Sequence, residues 1–191
     1  LMVGLSVLVS TWSNGLALVD DFGERVRFAD AFVMKTGGLG ETEQATIAAL
    51  PAVAAASPVG YLPLRVAESQ RLGTGDLAPP NVVCVGFEPA EFLEMNRLDW
   101  IEGTAETAIP RLEEGDAVLV AKEFLVARDL GVGDTIALGA EGDETTFEIV
   151  GVVGAAGLDI ATEFFGIKSL YMEHAASCVF LDFSAVTRHF N

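Results

Sequence analysis

The sequence predicts an α+β fold in two lobes on a long N-terminal helix. Three observations predict it. Strand-like apolar runs and helix-spaced apolar positions alternate from about residue 28 to the end of the chain. A polar, glycine-containing turn, Glu141-Gly142-Asp143-Glu144, separates two strand-like runs and makes an antiparallel hairpin. Pro58 and Pro63 interrupt another run, which therefore belongs at a sheet edge or at a bulge. A mixed sheet with helices follows, rather than a purely parallel sheet wound on both faces.

The first 27 residues come first in order. Leu1, Leu5, Leu8, Trp12, Leu16, Val19, Phe22 and Val26 fall three or four apart, so one helical face runs to about Arg27. Residues 1–9 are apolar all round, and polar residues appear opposite the stripe only after Ser10. The apolar start is shorter than the roughly 20 residues that cross a bilayer. It also lacks the basic region and the cleavage site of a signal peptide. Two readings are open: the outer end of a transmembrane helix, or a buried core helix. Gly15 and Gly23 are weak points in either, each costing up to about 1 kcal/mol relative to Ala.

Residues 28–89 form the first lobe. A strand is expected over 31–35 and a helix over 41–50, with a Gly37-Gly38-Leu39-Gly40 link between them. Pro51 ends the helix, because its ring removes a donor and clashes with the preceding turn. A strand over 53–66 follows, then a loop or linker over 68–80, rich in Gly and Pro. Residues 81–87 read as a strand, and the helix that follows runs to about Arg97.

Residues 90–191 form the second lobe, built on the hairpin. Trp100 and Pro110 lie in a less regular stretch. The run 117–120 reads as a strand. Phe124, Leu125, Ala127 and Leu130 then fall at helical spacing, and Gly131 supplies a left-handed residue that ends the helix at little cost. Val132-Gly133-Asp134 turns the chain into the hairpin strands 135–138 and 145–153. A last strand over 178–183 leads into a helix over 185–190.

These segments, in this order, carry a resemblance. The phrase A-V-L-V-A-K-E-F-L-V-A-R-D-L-G-V-G-D-T-I-A-L, followed after the acidic turn by T-F-E-I-V-G-V-V, resembles one in the extracytoplasmic domain of FtsX-like and MacB-like ABC-transporter permeases. Leu50-Pro51-Ala52-Val53, the step from 81–87 into Glu88-Pro89-Ala90-Glu91-Phe92, and Glu102-Gly103 are similar to further phrases of that family. The likeness spans roughly residues 28–183. It implies a stalk over 1–27 that leaves the membrane, with Leu16, Val19 and Phe22 as its coupling positions. It also implies a membrane-proximal, porter-like first half over 28–89 and a distal mixed lobe over 90–191. In the family a further strand–helix unit completes the proximal half, and no residues here supply it. It implies ATP bound by a separate nucleotide-binding subunit or domain and no cofactor in this chain. The implied partners are an ABC ATPase subunit, a second permease copy or paralogue in a dimer, and a protein, peptide or lipoprotein cargo. The implied place is the extracytoplasmic side of the cell membrane.

Composition is consistent with that place. Of the 191 residues 51% are hydrophobic, and mean hydropathy is +0.42. A formal net charge of −17, without a basic cluster, excludes nucleic acid and anionic lipid surfaces as partners.

Chemistry-bearing patterns are sparse. Lys35-Thr36-Gly37-Gly38-Leu39-Gly40 precedes a helix but lacks the order that sets a Lys on phosphates, so it reads as a turn. His174 and His189 have no second ligand at metal spacing, and no G-x-S-x-G elbow places a nucleophile. Asp20-Asp21 and Glu113-Glu114-Gly115-Asp116 read as solvated carboxylates. Asp134, Glu141, Asp143 and Glu144 lack the calcium-loop order. Cys84 and Cys178 lie in strand-like apolar runs and can be free or paired. The aromatic run 163–172 reads either as a plug beneath a loop or as an exposed patch for a partner domain. The second reading names Phe164, Phe165, Ile167 and Tyr171 as partner-interface residues. Two functions follow. One is a non-catalytic permease domain. The other is a secreted acidic hydrolase or small-ligand-binding module, which requires convergent carboxylates of raised pKa in a cleft.

Overall fold

The computed structural model describes residues 31, 33, 35, 38–67, 81–140, 142–154 and 178–190. Its elements run α1 (Glu41–Ala48), β1 (Val59–Val66), β2 (Asn81–Phe87), α2 (Pro89–Met95), β3 (Asp99–Glu102), α3 (Ala105–Glu114), β4 (Ala117–Ala121), α4 (Lys122–Arg128), β5 (Thr135–Ala140), β6 (Asp143–Gly154), β7 (Cys178–Asp182) and α5 (Phe183–Phe190).

One mixed sheet takes all seven strands in the order β3-β6-β4-β7-β2-β1-β5. Because β5 also pairs with β6, six of the strands form a closed ring, and β3 extends from β6 outside it. The β4–β6 and β2–β7 pairs are parallel and the others antiparallel. The closure between β1 and β5 is short: Arg65 lies opposite Gly139, Val66 opposite Leu138, and the Ala67 amide donates to the Ala137 carbonyl at 3.0 Å. Strands from residues 28–89 and from residues 90–191 thus share one sheet, β2 lying beside β7.

Burial explains the strand sequences. β4 and β7 are buried at every position and read A-V-L-V-A and C-V-F-L-D, without polar alternation. β6 changes character along its length. Residues 143–146 are exposed or half-exposed where β6 pairs with β5, and residues 149–153 are buried throughout where it runs beside β4. Phe87 joins the strands to α2, its ring 5.0 Å from Phe92 and 6.5 Å from Phe180. Trp100 lies so close over β6 that a Cβ on Gly151 would sit 2.7 Å from its Cζ3 atom.

The helices start and stop for local reasons. α2 opens on Pro89, where a missing amide costs nothing, and Asn96 ends it with backbone and side-chain bonds to the Phe92 carbonyl. Asp182 closes the N-terminus of α5, one carboxylate oxygen accepting the amides of Ser184 at 2.9 Å and Ala185 at 3.1 Å.

Several expectations change. Ala31, Val33 and Lys35 are exposed and lie outside any strand. The helix expected over 41–50 ends at Ala48, since Leu50 precedes Pro51 and is pushed out of the helical region. The strand expected from residue 53 begins at Val59, just beyond Pro58. Pro63 does lie within β1, which pairs on both sides only at Arg65. Trp100 and Pro110, expected in irregular chain, lie in β3 and α3. Pro110 is tolerated because it sits on the solvent face of α3, opposite the buried Ala108 and Leu112, where water can take the freed carbonyl. The left-handed residue that ends α4 is Asp129, φ 54°, not Gly131. The hairpin turn shrinks to two residues, with Ala140 opposite Asp143 and Gly142 at φ 84°.

Candidate functional site

The Gly131-Val132-Gly133-Asp134 phrase is a sewn turn. The Gly131 amide donates to Asp134 Oδ2 at 2.9 Å, and the Asp134 amide donates back to the Gly131 carbonyl at 3.1 Å. Gly133, at φ 91°, needs its missing side chain. Its amide donates to the Ile149 carbonyl at 2.9 Å, and the Ile149 amide donates to the Asp134 carbonyl at 2.8 Å. These bonds fix the turn to β6 midway between the stretch that pairs β5 and the stretch that pairs β3. One edge of β6 is therefore lined end to end by β3, the turn and β5.

Glu102 anchors the turn from β3. Its Oε2 accepts the Val132 amide at 3.4 Å, and Gly131 sits against both this carboxylate and Leu125 of α4. The end of β3, the turn and α4 thus meet. Three exposed apolar side chains lie on these segments: Val126 at 76% of its accessible surface, Val132 at 46% and Ile101 at 43%. Exposed carboxylates share them, namely Asp99, Glu102, Glu123, Asp129 and Asp134. Among its described residues this surface carries no Ser, Thr, Cys or His. Exposed apolar side chains and negative charge on segments that meet are features of a contact surface.

Arg111, Glu43 and Asp182 are spent on structure. Arg111 binds Glu114, Asp116 at 3.3 Å and Glu148 at 2.7 Å, joining α3 to β6. The Glu148 bond, first of all, holds its guanidinium above the usual range. Of the Glu113–Asp116 group, two carboxylates are thus engaged by Arg111. The glycine stretch before α1 is a turn, with the Gly38 amide on the Lys35 carbonyl. Glu43, reaching back to the Gly40 amide at 2.8 Å, occupies the place a phosphate would need. Its bond to Lys35, and then this amide, hold its carboxyl below the usual value. Glu88 is raised by burial first, then by a bond to Glu91 and by Asp182 nearby. Asp182 is already committed to capping α5.

Asp134 and Asp143 stand near opposite ends of β5, since Thr135 pairs Glu148 while Ala140 pairs Asp143. They do not converge on a cation. Among the described residues no group of His, Cys, Asp and Glu could hold a metal ion. His189 lies exposed on α5, its ring edge-on to Phe147 at 5.6 Å. Cys84 and Cys178 are both buried and free. In the β2–β7 register Cys178 lies beside Val83, so pleating turns the two thiols to opposite faces. Burial pushes both thiols up to about 12.

The remaining sequence candidates, Leu16, Val19, Phe22, Phe164, Phe165, Ile167, Tyr171 and His174, lie outside the described residues, as do Asp20 and Asp21. The turn was legible as a turn. Its anchor was not, because Glu102 lies 30 residues away and no local pattern encodes the contact.

The fold is thus a mixed α/β ring in which the Gly131–Asp134 phrase is architectural. A family model for the MacB-like periplasmic core domain matches residues 1–190, and the chain belongs to that family. No curated protein matches the chain. Among solved structures it is similar to the extracellular domain of the noncanonic ABC-type transporter YknZ from Gram-positive bacteria, at 14% identity and a TM-score of 0.49, over 80% of this chain and 66% of that one. It is also similar to the periplasmic region of MacB from Actinobacillus actinomycetemcomitans, at 11% identity and a TM-score of 0.49, over 86% of this chain and 66% of that one. The chain thus spans 66% of the length of each. The family match, not these two distant likenesses, carries the assignment. Among the described residues no helix is long and apolar enough to cross a membrane.

Proposed function

We propose that this chain is the extracytoplasmic domain of an ABC-transporter permease. It does no chemistry itself and couples ATP hydrolysis on the cytoplasmic side to movement of, or work on, an extracytoplasmic partner or cargo. The observation that carries this reading is the family match over residues 1–190. The architectural use of the Gly131–Asp134 turn also supports it. In this reading ATP belongs to a separate ATPase subunit or domain, and the permease works as a dimer with a second copy or paralogue. Residues 1–27 form the stalk. Residues 28–89 are the first half of the membrane-proximal lobe and residues 90–191 the distal mixed lobe. Phe164, Phe165, Ile167 and Tyr171 face a partner domain.

The stalk tests the reading. A helix over residues 1–27 is about 40 Å long at 1.5 Å per residue, long enough to carry a small tilt at the membrane to a large displacement beyond it. Leu16→Pro or Val19→Pro breaks such a rod at a cost of about 3 kcal/mol. In the complete transporter, ATP hydrolysis is expected to survive while the coupled output falls. Unchanged output from a correctly inserted variant would refute transmission through this segment. Turnover of ATP, peptidoglycan, ester or peptide by the purified chain, abolished by one Asp, Glu, Ser or His substitution, would refute the non-catalytic reading.

A further inference from the structure

We propose that the surface where β3, α4 and the 131–134 turn meet docks a basic, apolar-tipped segment of a partner protein. Val126, Val132 and Ile101 stand exposed on elements that Glu102 and Leu125 tie together. An apolar side chain left in water beside others marks a contact surface more than an isolated one does. β3 is the outermost strand, and among the described residues nothing pairs with its outer edge.

That edge is not made for strand addition. β3 is four residues long, bulged between Trp100 and Glu102, and carries an exposed carboxylate at each end. Short length, a bulge and charge are the devices that keep an edge from recruiting another strand. The occupant therefore meets side chains rather than the ladder.

Charge selects the occupant. Five exposed carboxylates, Asp99, Glu102, Glu123, Asp129 and Asp134, share these segments with one exposed cation, Lys122, while Arg128 is buried over the Phe124 ring. A second copy of this chain would bring a formal net charge of −17 to the same face, and anionic lipid or nucleic acid would be repelled in the same way. A segment carrying Lys or Arg around apolar side chains satisfies both features. The carboxylates speed and orient its arrival, and Val126 with its neighbours sets how long it stays.

This specifies the partner chemistry of the proposed function and rests on that reading only in taking the partner to be a protein. The experiment measures binding of two synthetic peptides to the chain by fluorescence anisotropy at several salt concentrations. One is an amphipathic Lys/Leu peptide and the other a Glu/Leu peptide of the same pattern. The Lys/Leu peptide is expected to bind and the Glu/Leu peptide not to. Ile101→Ser combined with Val126→Ser should weaken binding about tenfold, the loss expected when the anchors of a small interface are truncated. Val33→Ser combined with Leu50→Ser removes exposed apolar surface elsewhere and should leave affinity unchanged. Glu123→Gln with Asp129→Asn should flatten the salt dependence. No binding of the Lys/Leu peptide, equal binding of both peptides, or equal loss in the two serine pairs would overturn the proposal. If the peptide results hold while the stalk prolines leave transport output unchanged, the docking surface stands and the coupling reading falls.

Discussion

Gly151 tests how β3 is attached to the ring. The residue lies in the fully buried half of β6, with Trp100 on one side and Leu119 on the other. An alanine Cβ would sit 2.7 Å from Trp100 Cζ3 and 2.8 Å from Leu119 Cδ2, both closer than real Cβ contacts come. Gly151 is not among the positive-φ glycines, so the backbone itself accepts alanine. Overpacking a core by one methyl costs up to about 3 kcal/mol. The reduced freedom of the unfolded chain returns at most about 1 kcal/mol. Gly151→Ala should therefore lose about 2 kcal/mol, which in a chain of this size lowers Tm by about 4–8 °C. Thermal unfolding followed by circular dichroism reads the loss. A double-mutant cycle locates it: Trp100→Leu removes the clashing ring atom, so Gly151→Ala should cost less on that background. Tryptophan emission, in a Trp12→Phe background, should shift to the red in Gly151→Ala as the Trp100 ring is pried toward water. An unchanged Tm, or strictly additive losses, would refute the packing argument.

Gly139→Ala should be more damaging than Gly151→Ala in the same melt, because φ is +142° and the new Cβ would lie 2.5 Å from the Asp143 carbonyl oxygen. Cys84 and Cys178 make stability fall in alkali. Their folded values lie raised at about 12 against 9.0, so the stability they contribute is complete below pH 9 and is lost as pH climbs from there toward 12. Cys84→Ala should flatten that decline in urea titrations at rising pH, and a decline identical to that of the parent would contradict it. Glu102→Ala should speed hydrogen exchange at the Val132 amide while leaving Gly133, which is bonded to Ile149, protected. Equal acceleration at both amides would mean that the turn hangs on Glu102 alone.

How much the sequence disclosed follows the range of each interaction. β2 was read to the residue and β4 to within one, because unbroken runs of Val, Leu and Ala between turn signals are local evidence for strands buried on both faces. The hairpin was read with its ends two residues short on each side, because the pairing extends until Gly142 turns the chain. β3 and α3 were missed, since Pro110 counts as a breaker until it is known which face of the helix meets water. Asp129 took the left-handed position from Gly131 because its short polar side chain tolerates that region and α4 stops two residues earlier. The surface around Val126 was hidden for another reason. Nothing near Glu102 or Val132 in sequence says that the end of β3 will meet the turn.

The β1–β5 junction gives the ring a mechanical character. A band of strands is as strong as its shortest joints: one is β4–β7, registered at Leu119 with Phe180 and Val120 with Val179, and the other rests on Arg65, Val66 and Ala67 against Gly139, Leu138 and Ala137. The neighbouring β1–β2 ladder runs from Val59 to Arg65. Tension spread around the band therefore falls on the two short joints; β4 and β7 are buried at every position, whereas the β1–β5 clasp, with Arg65 exposed, is the one that water reaches. Parting would bare Val66 and Leu138, both wholly buried when the clasp is shut. Water opposes that exposure, so a clasp opened under load would be driven to reclose when the load is removed.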